Sequence, residues 1–163
     1  MPVAITASTE SPAPATSRGF TLRAGNGWEI IFSLLCPNER ELRLALQDKD
    51  SGLESLSQRL LADTHCERLI VKLAADGFIA YDRDSNGGMI SQPFPALSVN
   101  PLDVAGAGDS VLAVMATGLA SRQAMMPTAA LACCMAALAV ETMGNIPISS
   151  ENLRNYIEEL LLI

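Results

Sequence analysis

The sequence predicts an α/β layered fold, and three observations point to it. Short apolar runs of strand length, Trp28–Leu35 and Arg68–Leu73, alternate with helical patterns. Long small-residue stretches toward the end, 107–120 and 125–142, read as stacked helices. Finally, 163 residues with 49% hydrophobic and 18% charged side chains suffice for one domain with a real core, not for a disordered chain. No internal repeat is visible.

Residues 1–27 are rich in Ser, Thr, Pro, Ala and Gly, show no period of 2 or 3.6, and read as a tail. A linker, a misplaced start and sequence read across a gene break all fit this stretch. The run Trp28–Leu35 reads as a buried strand that ends at Cys36-Pro37. Asn38-Glu39-Arg40-Glu41 then opens a helix running to about Gln47. Ser51-Gly52-Leu53-Glu54 has the form of a capping box, and the helix behind it carries Leu53, Leu56, Leu60 and Leu61 to about Asp63.

Arg68–Leu73 is a second strand, turned by Ala74-Ala75-Asp76-Gly77 into Phe78–Asp82, which together predict a hairpin. Asp84–Gly88, with its Asn-Gly pair, is a second turn. Short extended pieces follow near 89–91 and 96–99, where Pro93, Pro95 and Pro101 disfavour helix. A helix over about 107–120 comes next, then one over 125–142 ended by Gly144-Asn145. The second has a face of Ala129, Ala132, Ala136 and Ala139 that permits close packing. A last helix, capped by Ser149 or Ser150, carries Leu153, Ile157, Leu160 and Leu161 on an apolar face.

The stretch with the most chemistry is Asp103-Val104-Ala105-Gly106-Ala107-Gly108-Asp109-Ser110-Val111. Gly106, Ala107 and Gly108 sit where a helix begins. Small residues there let backbone amides crowd round a ligand, and the helix aims its unpaired N–H groups and positive dipole end at the same point. That is a phosphate site. Asp109 lies in the first turn beside it. A carboxylate next to a phosphate does not add affinity; it suits a base accepting a proton from an attacking hydroxyl. The plainer alternative is an ordinary loop-to-helix junction with an acidic first turn.

The stretch resembles the C-terminal signature of the ribokinase/PfkB-like carbohydrate kinases, D-T-x-G-A-G-D-x-F. Asp103, Gly106, Ala107, Gly108 and Asp109 match, while Val104 and Val111 replace Thr and Phe. The same family carries an N-x-x-E motif ahead of this signature, and Asn38 and Glu41 stand in that place. They would hold a hydrated magnesium ion, which keeps its waters and takes one or two carboxylates; a charged helix start is the other reading. A family strand-turn near the nucleotide, V-T-L-G-x-x-G, is echoed at residues 71–77. Gly77 matches its last glycine, Ala74 stands for the first and Lys72 for Thr. Lys72 is open to two readings, a phosphate contact or an outward strand lysine. The 125–142 helix is likewise open between plain packing and an adenine wall. Within the family, the Cys36–Glu41 and Asp103–Ser110 runs resemble the heptose-phosphate kinase domain of bifunctional kinase/adenylyltransferases of the lipopolysaccharide pathway.

The resemblance covers about 30–163 and implies the C-terminal portion of a ribokinase-like layered fold with a central, mostly parallel sheet, so residues 28–163 are expected to form that portion. It also implies a reaction: phosphoryl transfer from ATP, with Mg2+, to a hydroxyl of a sugar or sugar phosphate. Asp109 would be the catalytic base, Gly106, Ala107 and Gly108 the anion hole, Lys72 and Gly77 the nucleotide side, and Asn38 and Glu41 the metal side. The family's sugar-binding half is not in this sequence, so the chain is expected to be inactive alone. A nucleotide-binding module without catalysis and a non-functional gene fragment are the alternatives.

A net charge of −7 argues against a nucleic-acid partner or an anionic membrane, though not against ATP, which a nest of amides binds on an acidic protein. A second copy of the chain is a candidate partner. Cys36, Cys66, Cys133 and Cys134 lack C-x-x-C spacing, and the single His65 has no metal-ligand neighbour, so a reducing, cytoplasmic setting without disulfides is expected. No signal peptide pattern opens the sequence, and the apolar stretch 124–140 is expected to be a buried helix and not a membrane span.

Overall fold

Parallel strands need a crossover, and here a helical pair supplies it. A computed structural model describes residues 34–64, 66–98, 101–104, 106–144 and 146–162, together with the strands Ile5–Thr6 (β1) and Thr21–Leu22 (β2). Strand β3 (Leu34–Leu35) leads through helices α1 (Glu39–Leu46) and α2 (Leu53–Thr64) to β4 (Arg68–Lys72), which pairs parallel to it. β4 turns into β5 (Phe78–Arg83), antiparallel, with Leu69 opposite Tyr81 and Lys72 opposite Phe78. β6 (Met89–Phe94) follows at the edge, giving the order β3-β4-β5-β6. The sheet is therefore mixed: parallel where a helical crossover intervenes, antiparallel across the hairpin.

The described residues divide into two bodies. The first contains β3 to β5, α1, α2 and most of β6. Its core joins Leu42 of α1 and Leu56, Leu60 and Leu61 of α2 to Leu35, Leu69, Val71 and Tyr81 of the strands. Ile70 and Ala80, at alternate positions, are buried as well. A strand buried on both faces is the mark of an α/β sheet, and it explains why Leu69-Ile70-Val71 reads as a continuous apolar run. β6 is mostly exposed and carries Pro93 near its end, which an edge strand tolerates. It is longer than the extended piece expected at 89–91.

The second body contains α3 (Ala107–Ala120), α4 (Met125–Val140) and α5 (Ser150–Leu161). α3 buries Val111, Met115 and Leu119, one face at four-residue spacing. α4 buries Ala129, Ala132, Cys133 and Ala137, and the Cys133 thiol donates to the Pro95 carbonyl at 3.2 Å. α5 begins as expected: the Ser149 hydroxyl accepts the Asn152 N–H at 3.1 Å.

Several expectations are corrected. The Ser51–Glu54 box does not cap α2. Instead Leu56 N–H bonds the Gly52 carbonyl, which makes Gly52 the cap position, while the Ser51 hydroxyl and N–H donate to Asp48 at 2.8 and 3.0 Å. The nearer, charged acceptor wins the serine. α4 ends at Val140, earlier than 142: Glu141 N–H turns back only three residues, to the Leu138 carbonyl (3.3 Å), and the Val140 carbonyl left over is taken by Leu102 N–H (2.7 Å) and Asp103 N–H (3.2 Å). On α5, Leu160 and Leu161 are exposed. Residues 28–33 of the first expected strand lie outside the described residues, as do His65 and Asn145. In 1–27, β1 and β2 pair antiparallel, an element not anticipated there; the remainder of that stretch lies outside the described residues. All four cysteines are free thiols. No helix among the described residues is long and apolar enough to cross a membrane.

Candidate active site

In open α/β sheets, ligands gather at the carboxyl ends of parallel strands. On the first body that end is where β3 gives way to Cys36-Pro37-Asn38 and β4 ends at Lys72. Lys72 N–H donates to the Pro37 carbonyl at 2.9 Å, and Asn38 and Lys72 form a parallel bridge. The structure thus brings Lys72 beside the Asn38–Glu41 pair, which the sequence proposed separately from it.

Asn38 and Glu41 form a reciprocal cap at the head of α1. Glu41 N–H donates to Asn38 Oδ1 and Asn38 N–H donates to Glu41 Oε2, both at 2.8 Å. This is what a spacing of three residues at a helix start does, and it holds both side chains in fixed rotamers. One carboxylate oxygen of Glu41 lies outside this cap. Cys36 completes the group. Burial pushes its thiol up to about 11; the Lys72 charge opposes that rise and Glu41 adds to it. Cys36 is therefore a neutral, unreactive neighbour of a cation and an anion. Among the described residues no group of three His, Cys, Asp or Glu side chains could hold a metal. A single carboxylate with an amide fits an ion that keeps most of its waters.

On the second body, Gly106 caps α3 in the left-handed region, with φ 84 and ψ −12, and no side chain bonds the helix start. The first intrahelical bond is Ser110 N–H to the Gly106 carbonyl, at 2.9 Å. The amides of Ala107, Gly108 and Asp109 therefore have no carbonyl within α3 and converge at its positive end. Gly106, Ala107 and Gly108 are half-buried, and Asp109 is exposed on the first turn. The arrangement can take an anion and present a carboxylate beside it.

The loop ahead of α3 is tied down by a residue to which the sequence assigned no role. Asp103 Oδ2 accepts the Gly144 N–H at 3.2 Å, next to the paired bonds from Leu102 and Asp103 to Val140. Its place at the head of the matched signature was the available signal. Gly77 sits in the turn between β4 and β5 at φ +89. A Cβ there would lie 2.6 Å from Ala96 N and 2.7 Å from the Pro95 carbonyl carbon, with the Phe94 carbonyl oxygen nearest of all. Ala74, in the same turn, is also left-handed at φ 55.

The pfkB family of carbohydrate kinases matches residues 28–152. The chain belongs to this family. Similar curated proteins are bifunctional proteins named HldE: one from Geobacter metallireducens is 34% identical over 121 residues, covering 72% of this chain and 24% of that protein. Another, from Campylobacter jejuni, is 32% identical over 127 residues, covering 76% and 26%. The chain thus spans about a quarter of the length of the curated relatives it matches. Phosphofructokinase-2 from Escherichia coli superposes with a TM-score of 0.66 at 18% identity, covering 78% of this chain and 41% of that one. A ribokinase from Arabidopsis thaliana, solved with ribose and ATP, gives 0.63 at 24% identity, covering 79% and 42%. These likenesses establish a ribokinase-like fold.

Proposed function

We propose that residues 28–163 form the ATP side of a carbohydrate kinase that transfers a phosphoryl group to a hydroxyl of a sugar or sugar phosphate. The observation that carries this reading is the head of α3: an amide cluster at a helix N-terminus with an exposed carboxylate one turn in. Phosphoryl transfer asks the protein for position and charge, not for covalent chemistry. Asp109 takes the proton from the acceptor hydroxyl, the hydroxyl oxygen attacks the γ-phosphorus of ATP, and the bond from that phosphorus to the β–γ bridging oxygen breaks, with ADP as the leaving group. The amides of Ala107, Gly108 and Asp109 hold the negative charge that grows on the transferred group. Lys72 and Gly77 belong to the nucleotide side. Asn38 and Glu41 would hold magnesium through its waters, and it would supply positive charge to the polyphosphate.

Membership of a carbohydrate kinase family supports the reaction class. The resemblance of the Cys36–Glu41 and Asp103–Ser110 runs to a heptose-phosphate kinase domain supports a heptose phosphate acceptor. The four free thiols support a reducing cytoplasm. Because catalysis needs both substrates in one geometry, these 163 residues alone are expected to bind nucleotide without turning over an acceptor. The test is a thermal melt of the chain with and without magnesium-ATP. Ligand at about a hundred times Kd adds about 2.7 kcal/mol, several degrees for a domain of this size. Asp109→Asn keeps that shift and, in a protein that also carries the acceptor-binding portion, abolishes sugar-dependent ADP release. A melt indifferent to magnesium-ATP refutes the nucleotide site; ADP release that survives Asp109→Asn refutes the role of Asp109.

A further inference from the structure

We propose that Gly118 and Thr128 form a seat that sets the tilt of α3 on α4, and with it the aim of the first-turn amides. The functional part of this proposal rests on reading those amides as the anion site. α3 is held against α4 at both ends. At its head, Leu102, Asp103 and Gly144 tie the loop before Gly106 to the end of α4 at Val140. At its tail, Gly118 meets Thr128 in the first turn of α4. A Cβ on Gly118 would lie 2.9 Å from Thr128 Oγ1 and 3.3 Å from Thr128 Cβ, with Thr128 Cγ2 closer still. Thr128 cannot swing away without loss: its hydroxyl donates to the Ala124 carbonyl at 2.7 Å, and the side chain is buried.

Gly118 is about 18 Å along the helix from Gly106 at 1.5 Å per residue. Because the head of α3 is tied, a push at the tail is taken up as tilt. The amides of Ala107, Gly108 and Asp109 then point elsewhere, although nothing near them has changed. Gly118 is a positioning residue, acting on the ligand only through the helix axis. Nothing in the sequence singles it out, since a glycine inside an apolar helix reads as a mere loss of helix propensity.

The test compares wild type with Gly118→Ala, Thr128→Ala, Gly118→Ala/Thr128→Ser and Gly118→Ala/Thr128→Ala. Two readouts are the amide cross-peaks of Gly106 and Gly108 in 1H–15N spectra and the Kd for magnesium-ATP. Gly118→Ala is expected to move both peaks. It should also weaken magnesium-ATP about tenfold, within what a displacement on the order of 1 Å from a distant mutation can cost. Rescue is graded: serine at 128 removes Cγ2 but keeps an oxygen 2.9 Å from the new Cβ, whereas alanine leaves only Cβ, at 3.3 Å. The Ala/Ala pair should therefore match Thr128→Ala alone in both readouts, and the Ala/Ser pair should fall between. Should Gly118→Ala not fold, the Ala/Ser pair takes its place. Unmoved Gly106 and Gly108 peaks in a variant whose melting temperature falls overturn the seat and leave it as packing. Wild type that does not bind magnesium-ATP overturns the functional reading, while the peaks still decide the seat.

Discussion

The turn between β4 and β5 holds two left-handed residues, and substituting each should move stability in opposite directions. Gly77→Ala places a Cβ at φ +89 and against the backbone of residues 94–96. The left-handed conformation costs a non-glycine residue about 1–2 kcal/mol. Forcing apart atoms 2.6 and 2.7 Å from the new carbon adds overpacking of about 1–3 kcal/mol. Alanine stiffens the unfolded chain, which returns about 0.4–1 kcal/mol. The net is a loss of about 3 kcal/mol, on the order of 10 °C in melting temperature. Ala74 is the opposite case: its φ of 55 is already strained, and open to relief by glycine. Ala74→Gly removes about 1–2 kcal/mol of strain and loses about 0.4–1 kcal/mol to unfolded-state entropy, a net gain of about 0.5–1 kcal/mol. Urea titrations of the two variants at unchanged slope measure both. Gly77→Ala within about 0.5 kcal/mol of wild type, or Ala74→Gly below it, would refute the steric account of this turn.

The same reasoning applies where helices end. Gln47 (φ 50) closes α1 and Arg122 (φ 60) closes α3, each in a left-handed turn with N–H groups returned to the last carbonyls of the helix. Gln47→Gly and Arg122→Gly should each raise the unfolding free energy read from urea titration by about 0.5–1 kcal/mol. Acid should find Asp48. The Ser51 N–H and hydroxyl, then Arg59 and the Asp50 N–H, hold its carboxyl well below the usual carboxylate range. A folded-state pKa below the unfolded one gives stability that is full above about pH 4 and is lost as pH falls further. Wild type should therefore out-melt Asp48→Asn at pH 7, with the gap closing below about pH 4; a gap constant with pH would remove Asp48 from the account.

How much of this could be read in the sequence follows from where the controlling interactions lie. α3 was legible to its bounds because small residues, an apolar face and a following break are all local. The Asn38–Glu41 cap was legible because both partners are three residues apart. The Ser51–Glu54 box misled because its competitor, Asp48, lies just upstream, where a motif reading does not look. α4's end was misjudged because its last turn tightens at Glu141 and its terminal carbonyl at Val140 is satisfied by Leu102 and Asp103, which lie far away in sequence. The family resemblance supplied the turn at 71–77 as a glycine pattern. The physical reason is that both marked positions are left-handed, whether filled by Gly77 or by Ala74.

The Asn38–Glu41 pair carries two readings, a helix cap and a magnesium site, and the geometry makes the first a condition of the second. The cap consumes Asn38 Oδ1 and one oxygen of Glu41. It fixes the direction of a carboxylate whose remaining oxygen can order a water of a hydrated ion. A free glutamate would spend rotamer entropy to do the same. Two substitutions separate the functions. Glutamine keeps an oxygen that accepts from Asn38 N–H, so Glu41→Gln retains the box and loses only the favourable charge at the head of α1, about 0.5 kcal/mol. Glu41→Ala loses the box too, about 1 kcal/mol. If Glu41 serves magnesium, both variants need more magnesium for the same ATP-induced rise in melting temperature, and they need it equally. If it serves only the helix, Glu41→Gln tracks wild type across the magnesium titration and only Glu41→Ala departs, through stability alone.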